Sequence, residues 1–595
     1  MILKALYDYY HRKRNLPQFG RELKQIGFII VIDQSGKFVR FEDHRLDKKT
    51  ATAFLVKKHY IRCSAPVANW LYDNSAYVLG ISDKGEPEKA RKYLAVFKSK
   101  IEDIYRQHPQ QADLSALHAF YKQSPEDIRQ AVEQDPLWET IKKELNKKYS
   151  TFSFRIKGDT QIVAEKDELI RLASDNADAP RNQKICLISG ERDNIVELTT
   201  ATMIPGSQAT AKLVSFQVNS GYDSYGKQQG ANAPIGEQAE FAYSTALNHM
   251  LAQGSRNRFM VGNRTFVFWA SSDSDASAQA ETSLFDMLGI KDKDDTDNPD
   301  AGIKQVRKVF TAIYSGELKT SLNDRFYILG LAPNSARIAI VYWSELVLRD
   351  FATNIKNHFE RMNIVRPRSY KKLTYMGLRT MLSAVTLGGN SSKVTPNLPE
   401  AIAKSVFEDT TYPISLFTAC LCRLKTDSHD EDWDSFDLVD NIYKIRKIDT
   451  YIARFAIIKA FINKTFQNDI KEMLDKQNTN QGYLCGRLFA ILERIQEISN
   501  RDKEYFTNVR SRYMSRASSE PAVVFPTMLS LSVHHSEKIE NIYEIVKYEK
   551  LKQEIIDNIT DFPAHLSLHD QGRFFVGYYH QRQALFVYNE EQTND

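Results

Sequence analysis

Motifs that carry chemistry are scarce in this chain of 595 residues. Its five cysteines are odd in number and scattered, so we expect no disulfide framework and a reducing compartment. They are Cys63, Cys186, Cys420, Cys422 and Cys485. No HExxH or paired CxxC spacing offers a metal site, and no full GxxxxGK(S/T) loop offers a phosphate cradle. A GxSxG elbow and an obvious Ser/His/Asp or Cys/His arrangement are also missing. The sequence therefore predicts a protein that is not an enzyme and needs no cofactor.

Long apolar runs are missing as well, since none approaches the roughly 18–20 residues that span a bilayer. At the start of the chain the charges follow the apolar residues, the reverse of a secretory signal. We therefore expect a cytoplasmic protein with no membrane partner. A strong charge of one sign is lacking too. The net charge of +5 neither demands nor excludes nucleic acid, so the distribution of charge must decide.

The composition, 42% hydrophobic and 26% charged, is typical of soluble globular proteins. Alternating helix and strand patterns give way to almost wholly helical periodicity after Glu345. We predict an α+β fold, a mixed α/β N-terminal body followed by helical bundle domains. The predicted domains are 1–183 (N-terminal α+β), 184–344 (strand-rich), 345–472 (helical) and 473–595 (C-terminal helical bundle).

Local patterns predict individual elements. The predicted strands are Phe28–Ile32, Ala76–Leu79, Thr151–Lys157, Thr160–Ala164, Tyr327–Leu331 and Arg337–Tyr342. The third and fourth of these are predicted to form a hairpin around Gly158 and Asp159. Helices are predicted over Glu88–Tyr105, over Asp113–Gln134, from about Glu237 to Leu251, and over Glu281–Leu288 inside an acidic, solvated stretch at Ser271–Asp300.

The loop Asn219–Gly236 is the most informative segment. Amide and ammonium donors lie on a glycine-rich backbone between aromatic residues, and this combination suits base edges and phosphates. Its polar and aromatic members are Tyr222, Tyr225, Lys227, Gln228, Gln229 and Asn232. The plain alternative is an ordinary polar loop whose tyrosines pack on the sheet.

Two groups of basic residues suggest contacts with a phosphate backbone. The first group lies between Ile355 and Arg379 with Tyr370 and Tyr375 interleaved: Lys356, Arg361, Arg366, Arg368, Lys371, Lys372 and Arg379. The second, Arg510, Arg512 and Arg516, is predicted at the end of a helix that starts near Gly482. The alternatives are a solvated helix face, a contact with an acidic protein, or cations that stabilise the helix dipole.

The amino-acid sequences of several segments resemble those of the large subunit of type I-C CRISPR surveillance complexes (Cascade). The resemblance rests on Val214-Ser215-Phe216, on Ser224-Tyr225-Gly226-Lys227 with Gln229, Gly230, Asn232, Ala233 and Pro234, and on Phe241-Ala242-Tyr243. Other segments also match the family, and they occur along the chain in the order that the family shows: Asp73-Asn74, Cys186-Leu187-Ile188-Ser189-Gly190-Glu191, Val267-Phe268-Trp269-Ala270 and Leu329-Gly330-Leu331. The resemblance spans nearly the whole chain.

This resemblance implies a non-catalytic subunit that reads a protospacer-adjacent motif (PAM) in duplex DNA, helps to open the duplex and stabilises the displaced strand. Expected partners are target DNA, the crRNA, the crRNA-processing, backbone and small subunits, and a helicase-nuclease recruited afterwards. We expect Lys227, Gln229 and Asn232 on the duplex-contacting surface, with Gln228 and Tyr225 beside them and Asn74 as a companion. The family also suggests a small-subunit-like product starting at Met473.

Two other classes of function remain open. A metal-dependent nuclease would use acidic pairs such as Asp273/Asp275 and Asp294/Asp295. A scaffold would dock its basic segment on acidic protein surfaces. Cleavage of DNA in the presence of Mg²⁺ or Mn²⁺, lost only in acidic variants, would favour the nuclease.

Overall fold

The computed structural model describes residues 2–47, 50–60, 65–82, 85–145, 147, 150–173, 182–217, 221, 225–287, 299–367, 377–389, 393–395, 397–426, 442–467, 470–501 and 508–587. The chain forms two compact units. The first unit comprises Leu3–Thr202 and Val214–His249, and the second comprises Met203–Leu213 and Met250–Asp595. Sheets lie in the N-terminal half and helices dominate the C-terminal half, so the predicted α+β class is confirmed.

Short strands and helices alternate as far as residue 251. The strands are β1 (Arg21–Gln25), β2 (Phe28–Ile32), β3 (Phe38–Asp43), β4 (Ala53–Lys57), β5 (Tyr72–Asn74), β6 (Thr151–Ile156), β7 (Gln183–Ile185) and β8 (Arg192–Asn194). The helices are α1 (Ile2–Arg12), α2 (Ser75–Val78), α3 (Pro87–Gln107), α4 (Ala112–Lys122), α5 (Pro125–Glu133), α6 (Trp138–Glu144), α7 (Asp167–Leu172) and α8 (Glu237–Leu251). Single 3₁₀ turns lie at Val163–Glu165 and Gln229–Asn232.

The main sheet of the first unit has the strand order β3-β2-β6-β5. Strand β2 reads FIIVI and all five residues are buried, as expected for a central strand covered on both faces. It pairs parallel with β6 and antiparallel with β3. The predicted strands Phe28–Ile32 and Thr151–Lys157 are thus confirmed. The predicted hairpin partner Thr160–Ala164 is wrong, because β6 pairs with β2 and β5, and a 3₁₀ turn begins at Val163.

The predicted strand Ala76–Leu79 is also wrong. Ser75–Val78 forms the short helix α2, because the Asn74 side chain accepts hydrogen bonds from the backbone N–H groups of Ala76 and Tyr77. Helix α3 confirms the pattern over Glu88–Tyr105. The longer pattern over Asp113–Gln134 divides into α4 and α5, where Ser124 accepts from Asp127 N at 3.0 Å and caps the second helix.

Four strands and then mainly helices follow residue 251. The strands are β9 (Arg258–Val261), β10 (Arg264–Ala270), β11 (Arg325–Asn334) and β12 (Arg337–Val347). The helices are α9 (Asp275–Met287), α10 (Pro299–Ser315), α11 (Leu348–Met362), α12 (Leu378–Ala384), α13 (Leu398–Phe407), α14 (Ile414–Thr426), α15 (Ile442–Phe466), α16 (Gln481–Ser499), α17 (Val509–Ala517), α18 (Pro521–Ser536), α19 (Ile542–Ile556) and α20 (Leu568–Val587). A 3₁₀ turn lies at Leu387–Gly389.

The strands of the second unit form an antiparallel sheet of order β12-β11-β10-β9, which confirms the predicted strand pair at 327–342. Phe266, Phe268 and Phe326 project from this sheet into a core shared with α9, α10 and α11. Helix α9 begins before the predicted Glu281, and its buried Ala280 and Leu284 contribute to that core. The start of the acidic stretch is therefore partly packed, and residues 288–298 lie outside the described part of the chain.

The helices of the second unit share one continuous core cluster. Helices α16 and α20 approach closely at glycines: a Cβ on Gly486 would lie 1.9 Å from the carbonyl oxygen of Phe574. Tyr579 of α20 stacks on Phe455 of α15 with ring centroids 4.4 Å apart. The core therefore continues across the predicted boundary at 472/473, and the predicted boundary at 183/184 falls inside the first unit.

In the described part of the chain, no helix combines the length and the apolar character that crossing a bilayer requires.

Candidate nucleic-acid interface

In the loop at 219–236, the described residues from Tyr225 onward form a turn that exposes three of the predicted contact residues. Tyr225 is 98% exposed and has a φ of +54°, which is uncommon for a residue other than glycine, and Gly226 follows with a φ of +73°. Lys227 and Gln228 come next and are also exposed. An aromatic ring, an ammonium group and an amide therefore reach solvent side by side. Tyr222 lies outside the described residues.

Gly230 anchors this turn against the segment before it. A Cβ at Gly230 would lie 2.0 Å from the carbonyl oxygen of Val196, so only glycine fits without a shift of the backbone. The Gly230 N–H donates to the Glu197 carbonyl at 3.2 Å. Asn232 Nδ2 donates to the carbonyls of Gln229 at 3.0 Å and Lys227 at 3.3 Å. The turn that carries the exposed residues is therefore held through the residues that follow them, Gln229 to Asn232.

The end of the loop is tied to the β7–β8 hairpin. Val196 N–H donates to the Ile235 carbonyl at 3.0 Å, and Leu187 N–H donates to the Pro234 carbonyl at 3.0 Å. Asp193 Oδ2 accepts from Gln238 N at 2.9 Å and satisfies a free N–H group in the first turn of α8. Hairpin, loop and helix thus form one connected support.

The thiol of Cys186 belongs to the same support. Its Sγ accepts from Ile188 N at 3.3 Å and Ser189 N at 3.5 Å. Burial alone would raise the pKa of this thiol, but N–H donation from Gly236, Ser189 and Ile188 lowers the pKa on balance. The predicted packed position of Cys186 is confirmed.

Helix α8 is fixed by a buried carboxylate. Glu240 Oε1 accepts from Thr200 N at 2.7 Å, and Lys58 Nζ lies 3.4 Å from Glu240 Oε2. Lys58 also lies over the Phe241 ring, 4.9 Å from its centroid. The helix predicted at Glu237–Leu251 is confirmed and forms the rigid base behind the loop.

The predicted loop residues therefore have two different positions. Tyr225, Lys227 and Gln228 are exposed, whereas Gln229 and Asn232 are half-buried within the 3₁₀ turn. Asn232 donates its amide to the loop's own carbonyls, so it supports the loop's shape in this conformation. Asn74 is exposed, but its Oδ1 is engaged as the cap of α2. Their contacts with DNA remain predictions.

In the first basic group, some of the described residues already form ion pairs within the protein. Lys356 pairs with Glu360 at 2.7 Å. Arg361 contacts the Asp409 carboxylate through both Nη atoms, and Lys464 contacts the same carboxylate. Burial alone would lower the pKa of Arg361, and Asp409 raises it. Arg366 is half-buried. Arg368, Lys371 and Lys372 lie outside the described residues.

The second basic group lies on its own helix α17, because α16 ends at Ser499. Arg510 Nε is buried and Arg510 Nη2 donates to Tyr451 Oη at 2.9 Å, so this guanidinium is directed into the protein. Arg512 is exposed. Arg516 pairs with Glu520 at 2.9 Å at the surface. Of the three, Arg512 is the best placed to reach a phosphate.

The nuclease alternative requires acidic residues grouped around a metal ion. Among the described residues, no three metal-binding side chains lie close enough together to hold one. Glu281, close to the acidic stretch, accepts from Ala270 N at 2.8 Å and so supports the sheet.

A search of curated proteins finds no match to this chain. A family model described as CRISPR-associated protein (Cas_Csd1) matches residues 6–586, which is nearly the whole chain. This match agrees with the resemblance to the large subunit of type I-C Cascade that the loop and its neighbouring segments carry. The chain therefore belongs to the Cas_Csd1 family of CRISPR-associated proteins.

Proposed function

We propose that this chain is the non-catalytic large subunit of a crRNA-guided type I-C Cascade complex in the cytoplasm. In that role it recognises the PAM in duplex DNA, helps to open the duplex and stabilises the displaced strand. It then supports recruitment of a separate helicase-nuclease. Its partners are target DNA, the crRNA and the crRNA-processing, backbone and small subunits.

One observation carries this proposal: a turn clamped at Gly230 presents Tyr225, Lys227 and Gln228 to solvent in a chain of the Cas_Csd1 family. A lysine donates to a phosphate or to guanine O6 and N7, and a glutamine pairs with the edge of adenine. Such a base contact contributes about 1–3 kcal/mol of discrimination. Because the turn is already fixed in the unbound protein, little conformational entropy is lost when DNA binds.

Tyr225 suits the opening of the duplex. An exposed aromatic ring stacks on an unpaired base or enters a base step, and stacking contributes about 1–3 kcal/mol per base. The neighbouring Lys227 would hold the strand by its phosphates. Guide pairing then supplies the sequence specificity that a short protein-read motif lacks.

The test compares complexes assembled with and without this chain on target duplexes that carry either a permissive or a non-permissive flank. We expect flank-dependent binding and strand opening only when the chain is present, with no DNA cleavage by the chain in Mg²⁺ or Mn²⁺. Equal flank preference in its absence would overturn the proposal. Cleavage that is lost in acidic variants would restore the nuclease hypothesis.

A further inference from the structure

A row of aromatic rings lies along helix α1 of the first unit. His11 is exposed, and the centroid of its ring lies 4.3 Å from that of Tyr7 and 5.2 Å from that of Tyr10. The Tyr10 ring meets Phe241 of α8 edge-on at 5.7 Å, and the Phe19 ring meets Phe241 in the same way at 5.4 Å. One continuous series of ring contacts, called here the aromatic row, therefore comprises Tyr7, His11, Tyr10, Phe241 and Phe19.

The segment that carries Phe19 is held in place on either side of this residue. Before it, Tyr10 Oη donates to the Pro17 carbonyl at 2.8 Å. After it, the Lys58 N–H donates to the Gly20 carbonyl at 2.7 Å. The Phe19 side chain is nevertheless 52% exposed. Part of a firmly positioned ring is thus accessible to a ligand.

Positive charge lies beside the aromatic row. Lys4 pairs with Asp8 at 2.6 Å, and its Nζ also lies 4.9 Å from the centroid of the Tyr7 ring. Arg14, just after α1, is exposed and forms no ion pair with the residues that the structure describes. Residues 2–24 together carry six basic side chains against two acidic ones. The surface therefore suits a ligand that combines negative charge with flat aromatic faces.

Unpaired nucleotides combine these two properties. Neighbouring base pairs cover the faces of a base inside a duplex, whereas an unpaired base stacks on an aromatic ring while its phosphate meets a cation. The aromatic row also adjoins the candidate duplex-contacting loop. Phe241 lies in the second turn of α8, and Glu237, the first residue of that helix, directly follows the loop.

We propose that the aromatic row is a stacking site for unpaired nucleotides, and that the displaced strand of the target DNA occupies it. The site follows from the geometry and charge of the first unit. The identity of its occupant rests on the proposed function. Sequence reasoning missed the row, because Phe241, on which Tyr10 and Phe19 meet, comes from a distant segment of the chain.

The first experiment tests the site on the full chain, with a labelled oligothymidylate and a duplex of equal length as probes. The variant that combines His11→Gln with Phe19→Leu removes the two exposed rings and keeps side chains of similar size. At fixed salt it should bind the oligothymidylate at least about fivefold more weakly, which corresponds to about 1 kcal/mol for one stacked base. Its affinity for the duplex should not change. The matched control Phe19→Tyr retains a ring and should bind both probes as the wild type does.

Three results overturn the stacking site. The first is equal affinity of the wild type and the double variant for the oligothymidylate. The second is an equal loss of affinity for the duplex, which assigns the effect to surface charge or to a disturbed fold. The third is a loss in Phe19→Tyr as large as that in the double variant.

The second experiment tests the occupant in the assembled complex, with 2-aminopurine in the displaced strand next to the flank. Stacking quenches the fluorescence of this base, so the double variant should give a brighter signal than the wild type and retain flank-dependent binding. Equal fluorescence, despite a positive oligothymidylate result, overturns the displaced strand as the occupant. A double variant that no longer joins the complex but still binds the oligothymidylate would make the row a protein contact and overturn the proposal. A wild-type complex that opens no target DNA contradicts the proposed function, and the oligothymidylate experiment still judges the site.

Discussion

Replacement of Glu493 by alanine should destabilise the helical core of the second unit by about 3–5 kcal/mol. Glu493 is 1% exposed; it accepts from Tyr578 Oη at 2.6 Å, and its Oε2 lies 3.2 Å from Arg582 Nη1. Burial raises the pKa of this carboxyl, while the charge of Arg510 acts in the opposite direction. Removing the Glu493 carboxylate leaves the buried Tyr578 hydroxyl without this acceptor. It also removes a negative charge that pairs with the Arg582 guanidinium.

The matched control is Glu520→Ala, which removes a carboxylate paired with Arg516 at the surface. An exposed pair of this kind contributes about 0–1 kcal/mol. Amide hydrogen exchange of α16 and α20 would report the difference, because a chain with two units need not unfold in one step. Equal protection in the two variants would mean that Glu493 does not stabilise these helices.

Gly230→Ala should abolish most of the flank preference of the complex while leaving guide-dependent pairing intact. The added Cβ would meet the Val196 carbonyl at 2.0 Å, so the turn that carries Lys227 and Gln228 must move. Overpacking of this kind costs about 1–3 kcal/mol locally, and displacement of the donors removes base contacts of about 1–3 kcal/mol each. Binding to target DNA with permissive and non-permissive flanks measures the effect.

Gly254→Asn serves as the control for an added side chain. Gly254 has a φ of +81° and nothing within 4 Å of a built Cβ, and asparagine tolerates this conformation better than most residues. It should retain the flank preference. If Gly230→Ala also retained it, the turn would not be what orients the contact residues.

Periodicity in the sequence identified the elements that have a clear buried face. Helix α8 was predicted to its limits, and the apolar run at 28–32 was correctly assigned to a strand. The short apolar run at 76–79 was not, because four residues carry no decisive period and the cap at Asn74 determines their conformation. The failed hairpin at 158–159 has a similar cause, since distant strands pair with β6.

The composition of the candidate site was predictable, but its geometry was not. The sequence identified the donors and aromatic rings of the loop. Which of them reach solvent depends on the approach of Gly230 to Val196, a contact between segments far apart in the chain. Similarly, the direction of the Arg510 side chain depends on tertiary packing around Tyr451.

The most direct measurement is a selection of target duplexes with randomised flanks, at fixed salt, by complexes that carry Tyr225→Ala, Lys227→Ala and Gln228→Ala together. All three side chains are exposed on the clamped turn, so their removal should leave the fold intact. We predict loss of flank preference with guide-dependent pairing retained. An unchanged flank preference would contradict the assignment of PAM recognition to this loop.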